Sequence, residues 1–580
     1  MRKVIYNIIG IVGLACGVTA CSDFLEIKPQ HEIVLEDFWN EKTDVDNILA
    51  GCYSGMQSED VIRRMMVWGE FRSENVMAGV NIDKDVNLEN VLKENITAMN
   101  AYTSWVDFYS VINRCNTLLK YAPGVAADDP GYTPSELRAN IAEVTALRAL
   151  CYFYLIRTFR DVPYSTVAYT DDNQVMNLPA TPFYTVLDSL INDLEGVKDD
   201  AVILYPETKP AYQTARITKD AIHAMLCEMY LWKQDYQNCV KYADLVINSK
   251  KEQAESNNSG YLGGKQEVEE RLNGFPLELD SYQGNSNMFG NAYSEIFVNG
   301  GSKETIFELS FSNRPQDEGM LSNQAVCAFY GHSNVPKGFV APSSTVVGDV
   351  SKTSGRVIFD DRNKAFDARL YEACDGNEGV FKFVYRSVYI MPEGSSVKPS
   401  YSVTTKYVDK DNGSKWVVYR LPDIMLLKAE ALCQLMRESN DAEAIAYNAD
   451  LLAEAFNLVN AVNKRSVCQN TLTDTLRARD YTTKNLMQDL VMRERQREFL
   501  FEGKRWFDLV RRSMRDGNTE ELSKAINRRD VSNAEYVKNF FQKMDAIFWP
   551  YNNDETKVNK NLVQNSAFGS GENSSYSKNK

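Results

Sequence analysis

Glu494 and Glu498 stand one helical turn apart in the run Arg493-Glu494-Arg495-Gln496-Arg497-Glu498-Phe499-Leu500-Phe501-Glu502-Gly503-Lys504-Arg505-Trp506-Phe507-Asp508-Leu509. Paired carboxylates are the raw material of general acid–base catalysis. The neighbours argue against it: Arg493, Arg495, Arg497 and Arg505 can pair with both carboxylates, and a cation beside a carboxyl group lowers its pKa and spoils a general acid. With Phe499, Phe501, Trp506 and Phe507 supplying bulk, the run reads as a structural knot that locks the C-terminal helices onto a helical-repeat scaffold. Other reactive chemistry is sparse. Only His31, His223 and His332 carry imidazole in 580 residues, too few for a multi-histidine metal site or several histidine relays. No Walker A run, G-x-G-x-x-G, H-E-x-x-H or G-x-S-x-G is present, and no C-x-x-C. Asp409-Lys410-Asp411-Asn412-Gly413 superficially suggests a calcium loop, but its glycine comes one residue early and Arg420 falls where the closing glutamate belongs. Asn412-Gly413 reads instead as a hairpin turn between Tyr401–Val408 and Lys415–Arg420. No cofactor or metal is expected.

Charge narrows the partners. With 64 basic against 79 acidic residues, the net charge of −15 opposes binding to a phosphate backbone, so nucleic acid is excluded as a partner. The length allows more than one core at roughly 150 residues per domain. From about residue 31 to 250 apolar residues keep a helical period. In Glu143–Phe159 they fall at Val144, Leu147, Leu150, Tyr154 and Phe159. Within Arg216–Ser249, Leu226-Cys227-x-x-Tyr230, Asp235-Tyr236 and then the small Cys239 resemble a tetratricopeptide unit, in which small residues let the second helix sit close to the first. Trp105–Tyr121 with Glu136–Phe159, and Pro422–Leu435 with Glu443–Asn463, are the other candidate pairs. Between about 251 and 421 Gly, Asn and Ser cluster and short strands such as Val380–Ile390 appear. The expected organisation is mostly α: a leader (1–20), a helical region with tetratricopeptide-like units (21–250), a loop-rich, partly β insertion (251–421), a C-terminal helical region (422–568) and a polar tail (569–580).

Arg2 and Lys3 precede an apolar stretch from Val4 to Val18, the length of a secretory h-region rather than a permanent span. It ends in Val18-Thr19-Ala20-Cys21, which resembles the lipobox of bacterial lipoproteins, with Val in place of the commoner Leu. Cleavage would leave Cys21 as the lipidated first residue, and two or more acyl chains anchor stably where one does not. No other apolar run is read as a membrane span. The remaining nine cysteines, scattered through apolar helical patterns, read as small buried hydrophobes without a disulfide framework.

Taken in order, these fragments resemble the SusD/RagB family of Bacteroidetes outer-membrane nutrient-binding lipoproteins. The resemblance runs from Cys21-Ser22-Asp23-Phe24-Leu25-Glu26-Ile27-Lys28-Pro29 through Phe38-Trp39, Ala50-Gly51-Cys52-Tyr53, Tyr109-x-x-Ile112-x-x-Cys115-Asn116, Leu147-Arg148-Ala149, Phe159-Arg160-Asp161-Val162-Pro163 and Arg216-Ile217-Thr218-Lys219. It ends with the arginine-rich run above and Gln564-Asn565. Lys504 departs from a common histidine, and a proline after Gln564-Asn565 is missing. The resemblance implies a noncatalytic receptor on the cell exterior, lipid-anchored in the outer membrane. It would capture an oligosaccharide and sit over a SusC-like TonB-dependent transporter. It places the ligand surface after the first helix and in the middle insertion.

Sugar recognition needs aromatic faces for the apolar side of the ring and polar groups for its hydroxyls. In the first region the candidates are Trp68, Arg72, Glu74, Asn75, Tyr102 and Trp105. The insertion adds Tyr282, Phe289, Tyr293, Phe329, Tyr330, His332, Phe339 and Tyr389. For Trp105 a core position beside Tyr109 competes with ligand contact. Tyr330, flanked by Gly331-His332 in a polar stretch, is the preferred stacking residue. Trp39, Trp506 and Trp549 are expected in the core. Three other readings stay open: a peptide receptor on the same fold, a surface glycoside hydrolase with two opposed carboxylates, and a scaffold without ligand.

Overall fold

The computed structural model describes residues 38–569 apart from 172, 257–271, 281–287, 313–320, 333–334, 336, 348–357, 360–366, 376–378, 392–399, 407–412, 440, 467–475 and 528–533. Cys21, Tyr282, Cys468, the leader and all of the tail beyond Gly569 lie outside them. The helices α1 (Lys42–Met56), α2 (Glu59–Met66), α3 (Val106–Asp128), α4 (Pro134–Phe159), α5 (Phe183–Val197), α6 (Lys219–Trp232) and α7 (Tyr236–Ser256) form the N-terminal half. After the insertion, which holds α8 (Gln324–Tyr330), come α9 (Leu421–Leu435), α10 (Ala442–Ser466), α11 (Lys484–Glu498) and α12 (Arg505–Asp516). The three pairs read from periodicity all form, as α3 on α4, α6 on α7 and α9 on α10, and α7 packs on α9 to join the two halves. α4 starts where local chemistry dictates. Thr133 and Glu136 form a capping box in front of Pro134, and Arg160, at φ 69°, stops the helix. By length and composition α4 could cross a membrane, which the apolar-run reading had not allowed for, yet it lies buried between α3 and α5 as a core helix. All eight described cysteines are buried free thiols.

The insertion contributes the strands β1 to β6 only together with one earlier segment. β1 (Val76–Ala78) pairs with β3 (Val340–Pro342), β2 (Thr305–Leu309) with β6 (Trp416–Arg420), and β4 (Tyr385–Met391) with β5 (Ser400–Lys406), every pair antiparallel. The expected hairpin between Tyr401–Val408 and Lys415–Arg420 is therefore wrong. Every residue of β6 is buried, so it pairs with the equally buried β2 inside the core, leaving β5 to β4.

Arg420, at the end of β6, belongs to a buried ion network that fastens the insertion to the C-terminal helices. Its guanidinium reaches Glu304 (3.1 Å), Glu498 (2.5 Å) and Glu502 (2.6 Å). Arg369 binds Glu494 and Glu498, each at 2.9 Å, and Asp367 at 2.6 Å, while Arg465 binds Glu304 at 2.9 Å and also pairs with Glu498. Lys382 adds a 2.5 Å contact to Glu502, and Arg497 a 2.8 Å contact to Glu494. Five cations thus face five carboxylates, which is how so many charges tolerate burial. The knot is real, but its partners differ from those expected. Arg497 pairs locally with Glu494, whereas Arg495 turns to Asp423 and Asp508, and Arg505 to Glu74. Residues 494 and 498 share one face of α11 whereas 495 is rotated about 100° from 494. Burial pushes the Glu498 pKa up, but Arg465, Arg420 and Arg369 outweigh it and hold the carboxyl well below the usual carboxylate range.

Candidate functional site

The β1–β3 pair brings together the two regions that sequence singled out. Val76 lies opposite Pro342, Met77 opposite Ala341 and Ala78 opposite Val340. The clasp is extended on both sides: Ser343 N donates to Asn75 O (3.0 Å), Gly79 N to Phe339 O (2.8 Å) and Asn81 Nδ2 to Lys337 O (2.7 Å). Phe339 folds back on α8, its N donating to Ala328 O at 3.0 Å, and His332 exchanges backbone hydrogen bonds with Val335. Gly338 makes this approach possible, because a Cβ there would lie 2.1 Å from the Phe329 carbonyl oxygen.

Along the clasp Met77 (37% exposed), Val80 (69%) and Val335 (37%) reach solvent, and Phe339, His332, Asn81 and Lys337 are half-buried. Aliphatic and aromatic surface edged by amide, ammonium and imidazole groups suits a flat, hydroxylated ring with one apolar face. Beneath lies a rigid aromatic floor. Phe329 sits 6.1 Å from Phe339, 5.1 Å from Phe71 and 6.5 Å from Tyr102, under the Arg63 guanidinium at 5.3 Å. Tyr102 donates to Asp85 Oδ2 at 2.6 Å, and burial followed by the Asp85 charge pushes its phenol far up, so it stays a donor.

Most residues named from the sequence are buried, which corrects them as direct ligand contacts. Trp68 donates Nε1–H to Tyr102 O at 2.8 Å and stacks on Phe108. Arg72 is spent on Glu94 (3.1 Å), two backbone carbonyls and the face of Trp506. Glu74 receives Arg505 (2.6 Å) and Gln496 (3.0 Å), and Asn75 receives Gln496 at 2.8 Å. Trp105 packs on Phe159 and Tyr551, Tyr293 on Phe297, and Phe289 is buried in the insertion. Tyr330 is core too: stacked on Phe383, it donates to Phe501 O at 3.0 Å. The neighbouring Gly331, at φ 101°, marks a chain reversal that turns the preceding aromatic inward. Phe339, His332 and half-buried Tyr389 remain within reach of solvent, but Tyr389 stands on β4, outside the clasp. Met77, Val80 and Asn81 were missed; the available signal was two apolar residues flanking Gly79 with no helical partner. Trp506 and Trp549 are core as expected, and Trp39 is partly buried on Tyr121.

A π-helical turn, Val67–Phe71, follows α2 and aims Glu70 beneath the clasp. Its carboxylate accepts Asn75 Nδ2–H (2.6 Å) and the backbone N–H of Phe501 and Lys504, both at 3.3 Å. Complete burial outweighs these donors and pushes its pKa up to about 7. Between the ordinary carboxylate value and 7 the folded state holds a proton the unfolded chain has lost, so this group's contribution falls as pH rises through that window. Glu70→Gln is expected to remove a slope of up to about 1.4 kcal/mol per pH unit between pH 5 and 7. Urea midpoints at pH 5, 6, 7 and 8 check this, with the variant gaining on the wild type toward pH 8; parallel curves contradict it.

Other chemistry is limited among the described residues. No group of three or more His, Cys, Asp or Glu could hold a metal ion. A polar cavity between Arg157, Glu228, Lys504 and Asp508 has about 10 Å³, room for one water. Lys504, the departure noted above, donates there to Asp423 (2.6 Å) and Val418 O (2.8 Å).

Comparison with known proteins agrees with this architecture in both halves. Residues 303–568 match the family model described as "SusD family", and residues 23–231 match one described as "Starch-binding associating with outer membrane". The chain belongs to the SusD-like family. Among curated SusD-like relatives, SusD-like protein P38 of Formosa agariphila is 24% identical over 86% of this chain and 90% of its own length, and SusD-like protein P2 of that organism 23% identical over 88% and 91%. A SusD superfamily crystal structure from Bacteroides thetaiotaomicron superposes with TM-score 0.59 at 20% identity, covering 92% of this chain and 99% of the other. A "Laminarin binding SusD-like protein" superposes with TM-score 0.55 at 19% identity over 91% of this chain and all of the other. The SusD-like fold, helix pairs with a partly β insertion, is thus shared at low identity.

Proposed function

We propose that this chain is a noncatalytic glycan receptor, anchored through Cys21 to the outer membrane, that captures oligosaccharides on the outer side of the β1–β3 clasp and passes them to a SusC-like TonB-dependent transporter. The observation that carries the reading is the match of residues 23–231 to a starch-binding, outer-membrane-associating family. The laminarin-binding structural relative points the same way. In this reading Phe339 supplies the stacking face, Met77 and Val80 the apolar border, and Asn81, Lys337 and His332 the polar groups. The aromatic floor of Phe329, backed by Phe71 and Tyr102, keeps Phe339 oriented. Catalysis is not part of the reading, because the conspicuous carboxylate pair is consumed by arginines.

Calorimetric titration with starch and laminarin oligosaccharides tests the ligand class. Phe339→Ala is expected to weaken glycan binding by about 1–3 kcal/mol, by analogy with aromatic stacking on planar rings, with little change in thermal midpoint. Binding of oligopeptides but no glycan would favour the peptide receptor, and release of reducing sugar would revive the hydrolase. Cys21→Ala is expected to move the protein from the membrane to the soluble fraction; unchanged membrane association contradicts the anchor.

A further inference from the structure

We propose that Cys227 and Cys239 join in a disulfide that staples α6 to α7 in the exported protein. Their sulfurs lie 3.7 Å apart, and both residues are completely buried. They occupy small positions of the tetratricopeptide-like pair, six residues before and four after the turn formed by Lys233, Gln234 and Asp235, where Gln234 adopts φ 65°. An S–S bond of about 2.05 Å requires each sulfur to move by only about 0.8 Å. The span is 12 residues, so the two thiols meet as soon as the helix pair forms. Cys52 and Cys115 also touch, but they lie 63 residues apart on α1 and α3 and meet only when the fold has closed around them.

Timing matters because burial raises the Cys227 thiol pKa well above its ordinary value, which suppresses the thiolate once the core is formed. Oxidation therefore belongs to the newly exported chain; the proposal rests on the export reading in this respect. The oxidant is a disulfide, either that of a thiol oxidase in the export compartment or oxidised glutathione in vitro. One cysteine thiolate attacks a sulfur of the oxidant and displaces the first thiol. The other thiolate then attacks the cysteine sulfur of the mixed disulfide and displaces the second. Two cysteine sulfurs lose two electrons, and the oxidant leaves as two thiols carrying the two protons.

Trypsin cleavage at lysines would separate the pair into Asp220–Lys233 and Gln234–Lys241. The full-length protein, exported by its own leader and recovered from membranes, is unfolded in guanidinium with N-ethylmaleimide and no reductant, then digested. The expected result is a linked pair of unalkylated peptides that separates on reduction, whereas the chain made in a reducing cytosol gives both peptides alkylated. Both peptides alkylated in the membrane-recovered protein would overturn the staple while leaving export intact. A second arm does not depend on export: the reduced, denatured chain refolded with oxidised and reduced glutathione should give the same linked pair, and its absence there also overturns the proposal. Cellular fractionation reads export separately.

Discussion

Glu498→Ala is expected to lower the unfolding free energy by about 3–5 kcal/mol, the cost of leaving buried charge without its partner. Glu498 is the point at which Arg369, Arg420 and Arg465 converge, and all three guanidinium groups are removed from water. Arg369 keeps Asp367 and Glu494, Arg420 keeps Glu304 and Glu502, and Arg465 keeps Glu304, but without Glu498 five buried cations face four carboxylates and one positive charge is uncompensated. Glu498→Gln is expected to be destabilising too, since it keeps the shape and one acceptor but not the charge. The same network makes a pH prediction of opposite sign to that for Glu70. Carboxylates whose folded pKa is depressed contribute stability above their unfolded value and lose it as pH falls through the folded one. Glu430, held down to about 2 by Arg511 and Arg515 against its burial, behaves as Glu498 does. Urea titrations of wild type and variants at pH 7 and pH 3 measure both effects; a loss below about 1 kcal/mol at pH 7 would mean that the knot contributes little net stability.

The second large effect is backbone against backbone. Gly69, in the π-helical turn, lies so close to the turn after α11 that an alanine Cβ would stand 1.8 Å from Gly503 O and 2.5 Å from its carbonyl carbon. No rotamer relieves such a contact. Gly503 cannot yield easily, because it sits at φ 72° with Trp416 behind it. Gly69→Ala is therefore expected to cost about 3 kcal/mol or more. It should also weaken ligand binding, because the displaced turn carries Glu70 and leads into β1. Gly51→Ala and Gly196→Ala are the controls: both positions are helical with nothing within 4 Å of the added carbon, and substitution there should be neutral or stabilising by up to about 1 kcal/mol. Equal thermal midpoints for Gly69→Ala and these controls would show that the contact is not tight in solution.

Much of the scaffold was legible because its signals are local. A 3.6-residue apolar period and the small cysteines of α6 and α7 each act within a few turns, and all three helix pairs formed as read. Residue roles were less legible. Tyr330 beside a glycine looked like an exposed loop residue, yet the glycine reverses the chain and the ring closes the core. Trp68, Arg72, Glu74 and Asn75 have the right chemistry for sugar recognition, but apart from Glu70 beside Asn75 the partners that hold them come from 22 to 475 residues away.

Composition, periodicity and motif order determined by themselves that this is a mostly helical chain of paired helices with a looser insertion, since those properties follow from steric and hydrophobic preferences acting over short spans. Tertiary structure alone decided that β6 joins β2, that Arg420 and Arg369 neutralise Glu498, and that β1 with Gly79 and Asn81 is clasped to Lys337, Phe339 and β3. These outcomes depend on which buried groups find complementary charge or an unpaired strand edge across hundreds of residues, and no local pattern encodes that competition.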